Sequence, residues 1–358
     1  MIDTATLATK ILNEPEEAVI HLQLCYASGA LLSISRIKEK NQFSYVTENN
    51  KAIGAADLSR IKKLIIPPAW QDVKIAAVAN AHLQAIGYDI KNRKQYKYHT
   101  IWTKIRNRTK FFKMVSFGKS LPKIRTRVDS DLALVGWPKN KVLALIIKLM
   151  EETHIRVGNL QYARKNKTYG LSTLRSKHVT ILKDSLRFEF VGKKGKEHKI
   201  TLKNKELVNF VSKCEEIPGW ELFKFYNADG EKTTVDSSMV NSYIQEIGGY
   251  PFTAKDFRTW AGTLIFFETL LDCKTPTNTT EIKQQLNIGF DATSKALGNT
   301  RNVCKKYYIH PLIIKKYEDQ TLEPYFTKVK NTVNAQNQTS AEIVLLQIIE
   351  KYDPLKNL

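Results

Sequence analysis

The residues of this 358-residue chain best suited to chemistry are arginines, lysines and tyrosines lying far apart in sequence. Arg156 sits in Thr153-His154-Ile155-Arg156-Val157-Gly158-Asn159, just after the most apolar helical stretch, where an ordinary surface has no need of a guanidinium. Arg258 sits in Lys255-Asp256-Phe257-Arg258-Thr259-Trp260, on a second helix with an apolar face. Two planar guanidinium forks can grip the nonbridging oxygens of a phosphodiester and stabilise the added charge of a pentacoordinate transition state. Lys193 lies in a lysine-rich turn, Gly192-Lys193-Lys194-Gly195-Lys196, where an ammonium could hand a proton to a leaving oxygen. Tyr307-Tyr308-Ile309-His310-Pro311 supplies two phenols. A phenol titrates at about 10, so attack at neutral pH needs cations beside it. Each part also has a plainer reading: a structural ion pair for either arginine, and a solvated turn for the lysine.

Other chemistries lack their parts. No GxxxxGK[ST] phosphate loop and no GxGxxG is present, and the seven histidines show no HExxH spacing. Asp129-Ser130-Asp131 is an isolated acidic pair that reads as a turn or helix cap rather than a metal site. Cys25, Cys214, Cys273 and Cys304 form no CxxC pair, which suggests reduced thiols in the cytosol rather than a zinc knuckle or a disulfide framework. Metal-free chemistry is therefore expected.

The elements that must position these groups can be read from periodicity. An amphipathic helix is expected over residues 15–32, with strands at 43–46 and 73–78. Ile66-Pro67-Pro68-Ala69-Trp70 reads as rigid and extended, because each proline fixes its own φ and disfavours helix before it. Helical pattern takes over from residue 110, with an apolar stripe at Val142, Leu143, Leu145, Ile146, Leu149 and Met150 inside a helix over 139–163. Leu186, Phe188 and Phe190 alternate with charged residues and, with 199–202, predict a hairpin tipped by the lysine turn. Helices follow at 204–214, 237–247, 255–271 and 281–286, then a linker at 317–329 and a last amphipathic helix at 340–352.

Composition bounds the function. Lys plus Arg is 56 against 35 acidic residues, a net charge of +21, so a polyanion such as nucleic acid is the natural partner. With 42% apolar residues the chain has material for a core. No run of 18 apolar residues argues for a membrane span, and the N-terminal segment does not read as a signal peptide.

Several motifs, in order from about residue 25 to 311, resemble the type IB DNA topoisomerases of the small bacterial and poxviral kind. They are Ile66-Pro67-Pro68-Ala69-Trp70; Arg93-Lys94-Gln95-Tyr96-Lys97-Tyr98-His99; the Arg156 segment followed by Asn166-Lys167-Thr168-Tyr169-Gly170-Leu171-Ser172-Thr173-Leu174; Phe190-Val191-Gly192-Lys193; Lys255-Asp256-Phe257-Arg258; and Leu297-Gly298-Asn299-Thr300 through Tyr308-Ile309-His310-Pro311. The resemblance implies Tyr308 as nucleophile, Arg156 and Arg258 on the scissile phosphate, Lys193 as general acid and Lys255 as an aid to proton transfer. Asn299 stands nine residues before Tyr308, where poxviral members have histidine and bacterial relatives also use asparagine; an amide can donate a hydrogen bond but carries no charge. Arg93, Lys94, Gln95, Tyr96 and Tyr98 match residues that contact DNA. Their plain reading is one strand, with Tyr96 and Tyr98 on the same face. Asn92 stands where relatives often have glycine, in a turn that tolerates asparagine.

The fold so implied is α+β: a β-rich DNA-clamping domain over 1–105 and a mainly helical catalytic domain with a β-hairpin over 106–358, together a bilobed clamp. The activity implied is relaxation of supercoiled duplex DNA through a 3′-phosphotyrosyl intermediate, without ATP, metal or another cofactor. The expected setting is a cytoplasmic, nucleoid-associated monomer that needs no protein partner. A tyrosine recombinase is the chief rival. It usually places histidine where this chain has Lys255 and carries a helical N-terminal domain. A DNA-binding clamp without chemistry is the other alternative, although the expected catalytic positions are all filled by competent residues.

Overall fold

The computed structural model describes residues 4–39 and 42–355; the outermost residues of both expected domains, 1–3 and 356–358, lie outside the described residues. The chain is α+β and gathers into two units, one of residues 1–112 with 353–358, the other of residues 113–352.

The first unit opens with helices α1 (Thr4–Asn13) and α2 (Pro15–His21). Pro15 at the first turn and Glu16 and Glu17 beside it suit a helix N-terminus. The helix expected over 15–32 stops at His21, because Gln23 takes a left-handed backbone (φ 55). Next come β1 (Ile34–Glu39), β2 (Gln42–Val46), α3 (Ala55–Lys63), β3 (Gln71–Ile75), β4 (Leu83–Tyr88) and β5 (Lys94–Tyr98). The strands form one antiparallel sheet in the order β2-β1-β3-β4-β5. Ile34, Val73, Ile75 and Ala85 bury one face together with Ile61 of α3. Residues 66–70 form a turn rather than an extended element: Trp70 N–H donates to Pro67 O at 3.1 Å. The Arg36 guanidinium binds the carbonyls of Pro67 (3.2 Å) and Trp70 (2.6 Å), adding donors to a segment whose two prolines lack N–H groups. Asn92 is left-handed (φ 52) in the β4–β5 turn, a conformation asparagine tolerates.

Helix α4 (Thr100–Leu132) starts ten residues earlier than the helical pattern indicated, and the division between units falls within it. Its Trp102 and Ile105 bury with Leu7, Ile11, Val19 and Leu24, and Leu355 packs on the same cluster.

The second unit continues through α5 (Lys139–Thr153), α6 (Leu160–Asn166), β6 (Val179–Ile181), β7 (Leu186–Val191), β8 (Glu197–Leu202), α7 (Lys205–Glu215), β9 (Lys224–Tyr226), β10 (Lys232–Thr234) and α8 (Ser237–Gly248). It closes with α9 (Ala254–Leu271), α10 (Thr279–Leu297), α11 (Arg301–Tyr307), α12 (Pro311–Glu318), α13 (Glu323–Asn331) and α14 (Ser340–Ile349). The β7–β8 hairpin stands where the alternation placed it, with Leu186, Phe188 and Phe190 buried. The helix expected over 139–163 is two helices, since His154 adopts a left-handed cap (φ 54). The expected linker at 317–329 is largely helical, shared between α12 and α13. Asp129 and Asp131 are neither cap nor turn. They lie inside α4, Asp131 bound to the Tyr243 hydroxyl (2.7 Å) and Arg127, Asp129 paired with Lys148. No helix among the described residues is long and apolar enough to cross a membrane.

Candidate active site

Arg156 is three residues beyond α5, in a loop fixed by backbone pairing: Leu171 N–H donates to Arg156 O (2.8 Å) and Ser172 N–H to Val157 O (2.7 Å). A Cβ on Gly170 would stand 2.4 Å from Arg156 O, so only glycine allows this approach. That contact gives Gly170 of the Asn166–Leu174 motif its place: it is where the arginine loop touches down.

Arg258 is buried on α9, 4% exposed. Its Nη1 donates to the carbonyl of His154 and its Nη2 to that of Leu297 (2.8 Å). One guanidinium thus satisfies the C-terminal carbonyls of two helices, α5 and α10, which would otherwise lack partners. Its Nε makes no hydrogen bond. Burial, then repulsion from Arg156, lowers its pKa to about 10, which leaves it a cation at neutral pH.

Past Leu297 the chain turns at Gly298 (φ 59), and Asn299 follows, its Oδ1 accepting from Arg156 Nη2 at 2.6 Å. The Asn299 Nδ2 is buried without a partner. Thr300 caps α11, a seven-residue helix that sets Tyr308 at its C-terminal end.

Tyr308 is partly buried, with the Arg258 guanidinium carbon 5.3 Å from its ring centroid. Burial alone would raise the phenol pKa. The charges of Arg258 and Arg156, a hydrogen bond from Arg258 and the charge of Lys255 outweigh it, and the phenol lies below its ordinary value. The main chain is pinned as well. Thr263 Oγ1 donates to Tyr308 O (3.0 Å) and accepts from His310 N–H (3.0 Å). A Cβ on Gly262 would lie 3.0 Å from both Tyr308 Cβ and its carbonyl oxygen. Neighbouring Tyr307 is 36% exposed, with Lys306 over its ring.

Four residues from four separate segments, Arg156, Arg258, Asn299 and Tyr308, therefore form one cationic cluster around a phenol. Two buried donors in it, Arg258 Nε and Asn299 Nδ2, have hydrogen-bonding capacity to spare. Such a set can hold an anionic tetrahedral group and bring a nucleophilic oxygen to it.

The comparisons with known proteins place the chain in a family. A family model for the eukaryotic DNA topoisomerase I catalytic core matches residues 94–337, more than half of the chain, and one for the N-terminal domain of bacterial DNA topoisomerase IB matches residues 42–89. The DNA topoisomerase 1B of Acanthamoeba polyphaga mimivirus is 35% identical over 306 residues, covering 83% of this chain and 90% of that protein. The chain belongs to the type IB DNA topoisomerase family. Its relatives also include the DNA topoisomerase 1B of vaccinia virus (strain Copenhagen), 24% identical over 304 residues with the same coverage. The DNA topoisomerase 1 of rabbit fibroma virus is 25% identical over 233 residues, covering 63% of this chain and 68% of that one.

The remaining residues singled out in this topoisomerase sequence are differently placed. Lys255 is exposed, one turn before Arg258 on α9. Lys193 is exposed at the hairpin tip, outside the tight cluster. Lys196, three residues on, has its charge felt at His198 and Cys304. In the N-terminal unit, Tyr96 and Tyr98 stack on one face of β5 with centroids 6.1 Å apart. Lys94 lies over the Tyr96 ring, and Asp89 binds both Arg93 Nε (2.7 Å) and Gln95 Nε2 (3.1 Å). Among the described residues no group of three or more His, Cys, Asp or Glu is arranged to hold a metal ion. Thr263, Gly262 and His198 were not singled out from sequence. Each acts through a neighbour distant along the chain, and no local spacing marks it.

Proposed function

We propose that this topoisomerase relaxes supercoiled duplex DNA by a transient single-strand break, with Tyr308 as nucleophile and neither ATP nor metal required. The observation that carries the reading is the gathering of Arg258, its guanidinium carbon 5.3 Å from the Tyr308 ring centroid, and of Arg156, bonded to Asn299 at 2.6 Å, around the Tyr308 phenol, whose pKa their charges lower in spite of burial. The Tyr308 phenol first loses its proton to water; the phenolate oxygen then bonds to phosphorus as the bond from phosphorus to the 5′ oxygen breaks, leaving a 3′-phosphotyrosyl link and a free 5′ hydroxyl. Arg156, Arg258 and Asn299 donate to the nonbridging oxygens, where charge builds up in the transition state. Lys193 gives the departing 5′ oxygen its proton, a role that its family position supports and its exposed place at the hairpin tip allows. After the free strand has turned, the 5′ hydroxyl attacks phosphorus and returns its proton to the lysine; Tyr308 departs as the phenolate and takes its proton back from water. One phosphodiester replaces another, so the cycle needs no energy input. The guanidiniums neutralise phosphate charge as a divalent ion does in metal-dependent enzymes.

Duplex DNA is the substrate of this reading. The basic, aromatic face of β5 in the N-terminal unit supplies further contacts through Lys94, Tyr96 and Tyr98. All the groups of the clustered centre come from one chain, which supports action as a monomer.

The test is relaxation of negatively supercoiled plasmid in EDTA without ATP, comparing the wild type with Tyr308→Phe. The expected result is a ladder of relaxed topoisomers from the wild type and none from the variant. Equal relaxation by both proteins, or none by the wild type despite tight DNA binding, would refute the assignment.

A further inference from the structure

His198 lies on β8 beside the turn of the hairpin, its imidazole stacked on Phe190 of β7 with centroids 5.0 Å apart and planes within 11°. Two glycines bound the ring. A Cβ on Gly192 would stand 2.6 Å from its Cδ2 and Nε2, and one on Gly298 would stand 2.7 Å from its Cε1. Neither position admits a side chain while the imidazole is there. Gly192 immediately precedes Lys193, and Gly298 immediately precedes Asn299. The ring therefore fills the gap between the turn that bears the lysine and the turn that leads into the nucleophile helix.

The surroundings keep this spacer uncharged. Burial, then the charges of Arg156, Lys196 and Arg258, lower the imidazole pKa to about 4. At neutral pH the ring adds bulk to a crowd of cations without adding a further positive charge.

We infer that His198 is a positioning residue for proton delivery: a wedge that sets the Gly192-Lys193 turn against the Gly298-Asn299 turn, so that Lys193 meets the departing 5′ oxygen. The inference rests on the reaction proposed above and adds to it a residue acting through the lysine. As the Tyr308 oxygen bonds to phosphorus and the 5′ oxygen leaves, a proton passes from the Lys193 ammonium to that oxygen. Without the wedge, the hairpin turn loses its fixed distance from Asn299, and this transfer suffers while the phosphate grip persists.

A chemical readout separates that role from general loss of structure. Single-turnover cleavage is measured at a site mapped with the wild type, on a duplex with the ordinary 5′ oxygen and on one with sulfur as the bridging atom. A thiolate departs without needing a proton. His198→Ala should slow cleavage of the ordinary duplex roughly tenfold or more, given what general acids contribute, and the sulfur duplex by less than about threefold, the pattern also expected for Lys193→Ala. Arg258→Ala should slow both. Gly192→Ala forces a methyl into the ring and should slow the ordinary duplex, whereas Gly192→Ala combined with His198→Ala should be no slower than His198→Ala alone. Equal slowing of both duplexes by His198→Ala, or no slowing of either, overturns the wedge. A wild type that forms no covalent adduct with either duplex refutes the underlying reaction and the wedge with it; a wild type that cleaves both confines any failure to His198.

Discussion

At the scale of single residues, the site works through proximity of like charges. Arg156 and Arg258 repel each other, and Arg258 is buried, an arrangement that would be unfavourable unless its protons met acceptors. The carbonyls of His154 and Leu297 supply them. The net positive field falls on Tyr308. A cation favours phenolate over phenol, so removing one must raise the phenol pKa. The rate of covalent adduct formation should therefore rise with pH along a limb lying below pH about 10, the ordinary phenol value. In Arg156→Ala that limb should move to higher pH, beyond the overall drop in rate caused by losing a phosphate donor. A pH–rate profile of single-turnover cleavage checks this, and a limb that stays in place would show that Arg156 does not tune the nucleophile.

Secondary-structure elements bring these residues together, and they differ in how openly the sequence displayed them. The β7–β8 hairpin was legible because Leu186, Phe188 and Phe190 alternate on one buried face. Helix α9 was legible from its apolar face. Helix α10 was read as residues 281–286 only, whereas it runs from Thr279 to Leu297. Its later half buries Phe290 and Leu297 in step with Leu286, but Gly289 and Thr293, small or polar residues that let α9 approach, interrupt the stripe. A Cβ on Gly289 would lie 2.8 Å from the Phe266 ring. Helices α12 and α13 were hidden by their shortness and by the left-handed Gln320 between them. Tyr308, Arg156, Arg258 and Asn299 could be picked out because their motifs are local, whereas His198 depends on two glycines over a hundred residues apart in sequence. Helix α14 brings a buried polar tie that no local pattern announces. Glu342, 1% exposed, accepts from both Arg125 terminal nitrogens at 2.8 Å and from Trp260 Nε1 at 3.0 Å. Trp260 is two residues from Arg258, so α14 braces the catalytic helix. Glu342→Ala leaves Arg125 with Glu151 as its one acidic partner, beside the Asn337 carbonyl, and should destabilise the second unit by about 3 kcal/mol. Urea denaturation should show the loss as a lower midpoint, and an unchanged midpoint would mean that the tie contributes nothing net.

For the whole molecule, the net charge of +21 makes a quantitative demand on DNA binding. Binding that releases counterions from six to ten phosphates should weaken by about 10³–10⁵ between 50 and 200 mM salt. Fluorescence anisotropy with a labelled duplex measures the slope, and a nearly flat response would set the charge outside the interface. One fastening described above also has a mechanical meaning. The carbonyl of Tyr308 is gripped by the Thr263 hydroxyl, which holds His310 as well, and Thr263 lies on the 18-residue helix α9 that Glu342 braces from α14. A DNA strand joined to Tyr308 would hang from that helix rather than from a loose loop. In the proposed reaction, the torsion released as the free 5′ strand turns would push against something stationary, and this chain of bonds would make Tyr308 the stator of a rotary device.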